Sequence, residues 1–157
     1  MEFDEIIKIV IAHEGGYVND ELDLGGETKY GITKRWYPNV DIKNLTMDNA
    51  IDIYYRDYWQ PSKAQNLPEE IKPTYLDMCI NMGKKQAVIV LQQAINSVKR
   101  KKIAVDGYIG PITIQYANKV SKRRLQAYRC KFYANVVQDK PKQERFYYGW
   151  FKRAINT

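Results

Sequence analysis

Apolar residues recur at Phe3, Ile6, Ile7, Val10 and Ile11, the i, i+3, i+4, i+7, i+8 spacing of a helix with one buried face. Gly15-Gly16 ends that pattern. From Asn19 to Thr33 the chain turns polar and glycine-punctuated, with short β-branched runs on either side of turn signals, which predicts a small hairpin or ordered loop. Thr46 then reads as the N-cap of a helix through NAIDIYYRDYW, with Met47, Ala50, Ile51, Tyr54 and Tyr58 on its inner face and Pro61 beyond its end. A further helix follows Pro68 and runs to Gly83, bent or started late by Pro73, and Ala87, Val88, Leu91, Ala94 and Ile95 mark the next. Asp106-Gly107 predicts a turn, and Pro111 suits the first turn of a helix. Leu125, Tyr128, Phe132 and Val136 predict a long basic helix. After Pro141, Tyr147, Trp150, Phe151 and Ala154 close the chain on a last apolar face. The fold class is mainly α, with one small β-hairpin after the first helix.

Length and composition add bounds. At 157 residues and 45% hydrophobic, the chain has enough material for one compact core and a small second lobe. Glu2, Asp4 and Glu5 stand where a signal peptide carries basic residues, and no apolar run approaches the roughly 20 residues that cross a bilayer. The expectation is cytoplasmic synthesis without an export signal and without a transmembrane segment. Cys79 and Cys130 lack the spacing of a metal or redox site and read as reduced packing residues. His13 is the only histidine, so zinc sites needing several imidazoles are excluded and neither metal nor organic cofactor is expected. Charge is unevenly spread: residues 1 to 81 hold 8 Lys or Arg against 15 Asp or Glu, a net −7, whereas residues 82 to 157 carry +14. A basic half attracts nucleic acid, an anionic membrane or an anionic wall polymer. No nucleic-acid recognition motif is present, and the acidic first half would repel phosphate, so no specific nucleic-acid partner is expected.

Glu14 falls eleven positions after Phe3, within about 20° of the same helix azimuth, so an acid occupies the end of the apolar stripe. A desolvated carboxyl holds its proton more tightly, as a general acid must, and the two glycines after it leave room for a substrate. Asp20, Glu21, Asp23 and Glu27 crowd into the next loop beside Thr28 and Tyr30. Two carboxyl groups in unlike surroundings are what cleavage of a glycosidic bond requires. Among the abundant aromatics, most of which are expected in the core, Tyr30 and Trp59 are the expected sugar platforms because they adjoin motif residues. Asn81, one helical turn after Asp77, is suited either to an acetamido group or to satisfying buried backbone.

The order Glu14-Gly15-Gly16-Tyr17, Asn19-Asp20, then Asp23-x-Gly25-Gly26-x-Thr28-x-Tyr30-Gly31-Ile32-Thr33 resembles the N-terminal signature of the glycoside hydrolase 108 family, the phage-type N-acetylmuramidases. The likeness continues in YYRDYW (Tyr54 to Trp59), LDMCINMG (Leu76 to Gly83), LQQAIN, VDGYIGPIT and Gly149-Trp150 with Arg153. It implies a lysozyme-like fold, with residues 1–76 as the catalytic part and residues 77–157 as a helical peptidoglycan-binding part. It also implies Glu14 as the catalytic acid. Asp23 and Thr28 would take the second and third roles of the Glu, Asp, Thr arrangement in phage lysozymes, although the Asp to Thr interval is five residues here rather than six. Asp20 is the other candidate for the second carboxylate.

The implied reaction is cleavage of the β-1,4 bond between N-acetylmuramic acid and N-acetylglucosamine in bacterial peptidoglycan. A lytic transglycosylase, and a non-enzymatic wall-binding or secretion-activator protein, are the alternatives. A phage endolysin of this kind would act at the wall or in the periplasm after release by lysis or through a membrane pore, a holin.

Overall fold

In a computed structural model of the chain, which describes residues 2–14, 16–19 and 26–157, helix α1 spans Phe3–Glu14 and buries Phe3, Ile6, Ile7, Val10 and Ile11, the stripe read from the sequence. Two compact units follow along the chain, Met1–Asp57 and Tyr58–Thr157. In the first, strands β1 (Val18–Asn19), β2 (Glu27–Lys29) and β3 (Ile32–Thr33) form an antiparallel sheet in that order, so the expected hairpin gains a third, short strand. Val18 pairs with Thr28, and Lys29 with Ile32. Between β2 and β3 only Tyr30 and Gly31 turn the chain, with φ of 52° and 79°. Positive φ at both positions is the type I′ geometry whose twist matches that of paired strands.

Helix α2 (Met47–Tyr54) starts where Thr46 predicts, the Thr46 hydroxyl accepting the Asn49 N–H at 3.2 Å. It buries Ala50, Ile53 and Tyr54, while Met47 is exposed and Ile51 half-buried. The expected inner face is therefore rotated. From Tyr55 to Trp59 the chain continues as a π-helical turn, whose wider repeat carries the buried face from Tyr54 to Trp59, five residues on, instead of to Tyr58.

The second unit is helical. A single turn, α3 (Gln60–Ser62), and a 3₁₀ turn over Ala64–Asn66 lead to α4 (Lys72–Met82), α5 (Lys84–Asn96), α6 (Pro111–Ala117), α7 (Lys122–Asp139) and α8 (Glu144–Asn156). Pro73 lies in the first turn of α4, so the helix starts late, and every residue from Ile71 to Cys79 is buried. Helix α4 is thus the hub, packed by α5 and α7, with α8 on α7. Along α7 the buried residues are Leu125, Arg129 and Tyr133, whereas Tyr128, Phe132 and Val136 are half-buried. The face turns inward by about one position because Arg129 reaches a carboxylate in α4, a pairing that apolar periodicity does not register. Cys79 is buried and Cys130 half-buried, both as free thiols. No described helix is long and apolar enough to cross a membrane.

Candidate active site

Glu14 is the last residue of α1, held there by the five buried apolar side chains that precede it, and its own side chain is half-buried. Across from it stands the β2–β3 turn. A Cβ added to Gly31 would fall 2.8 Å from Glu14 Cγ and 3.1 Å from its carboxyl carbon, and would run into the Tyr54 hydroxyl. The Glu14 side chain therefore lies on bare glycine backbone, with the end of α2 at the same point. The buried Tyr54 hydroxyl donates to Tyr30 O at 2.8 Å, which ties the turn to α2. Three elements, from three separate stretches of sequence, meet at one carboxyl group.

Tyr30 lines a groove of about 330 Å³ with Lys8, Ile11, Ala12, Gly16 and Met47, so residues on both sides of Glu14 in sequence contribute to it. The Lys29 ammonium sits 5.4 Å from the centre of the Tyr30 ring. Thr28 is half-buried in the middle of β2, its hydroxyl directed to Gly26 O at 3.5 Å. Asp20 and Asp23, the two candidates for the second carboxylate, lie outside the described residues. Of the other carboxylates in this unit, Glu27 accepts the Tyr17 hydroxyl at 3.1 Å. Asp57 is held by Arg56 Nε at 2.6 Å and Nη2 at 2.8 Å, and by the Tyr37 hydroxyl at 2.9 Å. The Arg56 hydrogen bonds keep Asp57 below the ordinary carboxylate range.

Trp59 is only 7% exposed, because the π-turn rotates it inward, which makes it an interior ring rather than an open platform. The exposed indole of the first unit is Trp36, at 74%, with the Arg35 guanidinium 5.7 Å from its ring. Nothing in the hydrophobic pattern marks Trp36, since it falls between β3 and α2 where no period applies. Gly31 and Tyr54 were visible as a motif glycine and a core tyrosine. Their meeting at Glu14 was not, because it depends on how the hairpin returns to the helices.

In the second unit Asn81 accepts a hydrogen bond from the Tyr133 hydroxyl. One turn earlier Asp77, fully buried, accepts from Arg129 Nη2 at 2.6 Å and from Arg153 Nη2 at 2.7 Å. Burial by itself would raise the Asp77 pKa. The hydrogen bonds and charges of Arg153 and Arg129 more than reverse that and hold it below the usual range. A wider depression of about 750 Å³ between α7 and α8, lined by residues such as Lys122, Arg123 and Phe151, has no carboxylate on its walls.

Residues 7–83 match the family described as glycosyl hydrolase 108, and residues 86–155 match the predicted peptidoglycan domain. No curated protein matches the chain. Among solved structures, SagA from Brucella abortus is similar over 98% of this chain and 90% of its own, at 28% identity and a TM-score of 0.77. The mainly helical, lysozyme-like fold expected from the motifs is the one observed.

Proposed function

The chain belongs to the glycosyl hydrolase 108 family and is a peptidoglycan hydrolase; from that footing we propose that it is an N-acetylmuramidase with Glu14 as its general acid. The bond cleaved is the β-1,4 link between N-acetylmuramic acid and N-acetylglucosamine. The observation that carries this reading is the seating of Glu14 against the Cα of Gly31, within the segment that matches the hydrolase family. A proton donor has to stand within reach of the leaving oxygen and keep one orientation while the bond stretches. Burial of the five apolar residues of α1 anchors the backbone of Glu14. In this reading the glycan lies along the Tyr30 groove, whose walls include Ala12 and Gly16, the residues two positions before and after Glu14.

In this mechanism Glu14 protonates the glycosidic oxygen as positive charge builds on the muramic ring. Asp23 is assigned the second role, stabilising that charge or directing water, with Thr28 positioning the water and Asp20 as the alternative carboxylate. Tyr30 would carry a sugar face. General acid catalysis is worth roughly 10² to 10⁴ in rate, so Glu14→Gln should leave little turnover.

The test is mass spectrometry of purified peptidoglycan digested with the wild type and with Glu14→Gln. Reducing-end muramic products from the wild type alone support the reading. Anhydro-muramic ends would make the enzyme a lytic transglycosylase, in which the sugar's own hydroxyl attacks. Equal release by both proteins would remove Glu14 from the reaction.

A further inference from the structure

Between α5 and α6 the second unit holds a pocket of about 130 Å³. Gln92 and Thr113 form its buried floor, and Ala104, Asp106, Tyr108 and Ile112 stand exposed around it. At about 30 Å³ for each water-sized group, the space suits a substituent of about four heavy atoms rather than a whole sugar ring.

The floor is a closed polar knot. Gln92 Nε2 donates to Asp106 Oδ1 at 2.8 Å, to Thr113 Oγ1 at 3.1 Å and to Tyr108 O at 3.2 Å, while Gln92 Oε1 accepts the Gly107 N–H at 3.0 Å. A buried side chain with all its hydrogen-bonding groups engaged fixes the loop before any ligand arrives. The Tyr108 N–H adds a second bond to Asp106 Oδ1 at 2.9 Å. Both bonds fall on one oxygen, and Oδ2 accepts none from another described residue. The Tyr108 N–H and Gln92 hold the Asp106 carboxyl below the usual range, so at neutral pH the unengaged oxygen belongs to an anion.

Beside this oxygen lies an open ring. Tyr108 is 64% exposed and Ile112 60%. A Cβ on Gly110 would fall 2.6 Å from Tyr108 Cε1, so the ring rests on bare glycine backbone. The Lys63 ammonium stands 5.6 Å from the ring centre, too far to cover it. At that exposure an aromatic face is left to solvent.

These features sort the ligands. The open ring suits the apolar face of a pyranose. The unengaged carboxylate oxygen needs a donor, and the recess beside Ala104 and Ile112 suits a methyl group; one acetamido group supplies both. A ligand carboxylate would be repelled by Asp106. An ammonium ligand would meet Lys63 by the ring and Lys85, whose side chain packs on Gly107.

We propose that this pocket binds an N-acetylhexosamine residue of a glycan, with the sugar face on the Tyr108 ring, the acetamido N–H on Asp106 Oδ2 and the methyl group against Ala104 and Ile112. The inference rests on the peptidoglycan reading above. It gives the second unit a glycan site of its own, built from residues other than those around Glu14.

The experiment is an NMR titration of the full-length, isotope-labelled protein with methyl N-acetyl-β-glucosaminide, methyl β-glucoside and methyl β-glucosaminide. None contains a bond between two sugars, so turnover does not intrude. The N-acetyl sugar should shift the amide signals of Asp106, Tyr108 and Ile112, and the other two should bind there about tenfold more weakly. Tyr108→Ala removes an exposed ring and should weaken the N-acetyl sugar about fivefold. Asp106→Asn keeps Oδ1 for Gln92 and Tyr108 but puts a donor where the free oxygen stands, and should weaken it about tenfold. Amide spectra unchanged away from the pocket establish that both variants are folded.

No shift at these residues, equal or tighter binding of either comparison sugar, or indifference to both variants would overturn the inference. Cleavage of peptidoglycan is scored separately. Turnover with an indifferent pocket discards this site alone, and binding here without turnover discards the muramidase reading alone.

Discussion

The Cα of Gly31 faces the Glu14 side chain so closely that a Cβ in its place would lie 3.1 Å from the carboxyl carbon, while the same residue holds φ at 79°. Two independent constraints therefore act on one glycine. Left-handed backbone costs an L-residue about 1 kcal/mol, and the space a methyl group needs is already taken by Glu14 and Tyr54.

Gly31→Ala should therefore cost more than the backbone term, and it should displace Glu14. Gly26 supplies the control: its φ is 69°, yet among the described residues a Cβ there would meet only Lys34 Cβ, at 3.9 Å. Gly26→Ala should lower stability by about 1 kcal/mol with activity retained, whereas Gly31→Ala should lose most of its peptidoglycan turnover as well. Thermal denaturation and a turbidity assay on isolated walls, run on both variants, check this. Equal activity in the two would show that the Gly31 contact does not matter to the reaction.

Tyr54→Phe keeps the buried ring and removes the hydroxyl that holds Tyr30 O at 2.8 Å. The expected loss is about 1 to 3 kcal/mol, because a carbonyl at the turn is left without its partner. Turnover should fall with it, since the same turn supports Glu14. Urea denaturation gives the first number and digestion rate the second. A variant as stable and as active as wild type would separate the α2 anchor from the site.

Asp77 governs acid stability in the second unit. Its folded pKa is depressed, so its contribution is fully present above the ordinary carboxylate value of about 3.9 and is lost as the pH falls through the lower folded value. Asp77→Asn should cost about 3 to 5 kcal/mol near neutral pH, since it strands Arg129 in the interior. Below about pH 4 the gap between variant and wild type should narrow. Denaturation curves between neutral pH and acid check the sign: a gap that widened in acid would contradict the depressed value.

Burial pushes the Cys79 thiol up to about 12, so almost none of it is thiolate at neutral pH. An aromatic disulfide reagent should leave Cys79 unmodified in the native protein and modify it on unfolding. Peptide mapping after labelling reads this directly. Rapid native labelling at Cys79 would mean that α4 opens far more often than its packing suggests.

Much of the architecture was legible along the chain because its causes are local. Five apolar residues at helical spacing and a pair of glycines define α1 and its end, Thr46 starts α2 by a hydrogen bond to a residue three positions on, and Pro73 and Pro111 lie in the first turns of α4 and α6. Tyr30-Gly31 lies between β-forming residues and turns the hairpin by its own φ preferences. Chemistry at this range is decided within one or two turns of backbone, so residue order alone determines it. Glu14 as an acid at the end of an apolar stripe was legible for the same reason.

Tertiary structure decided what depends on partners far away in sequence. The π-turn at Tyr55–Trp59 moved the buried face from Tyr58 to Trp59, a shift of phase that an ideal helical repeat does not contain. Arg129 became a core residue only because Asp77, 52 positions earlier, offers it a carboxylate. Gly31, Tyr54 and Glu14 meet only once α1, the hairpin and α2 have packed together. Desolvation and ion pairing are properties of the assembled interior, where a charge is tolerable only beside its counter-charge, and such pairings leave no periodic trace in the chain that forms them.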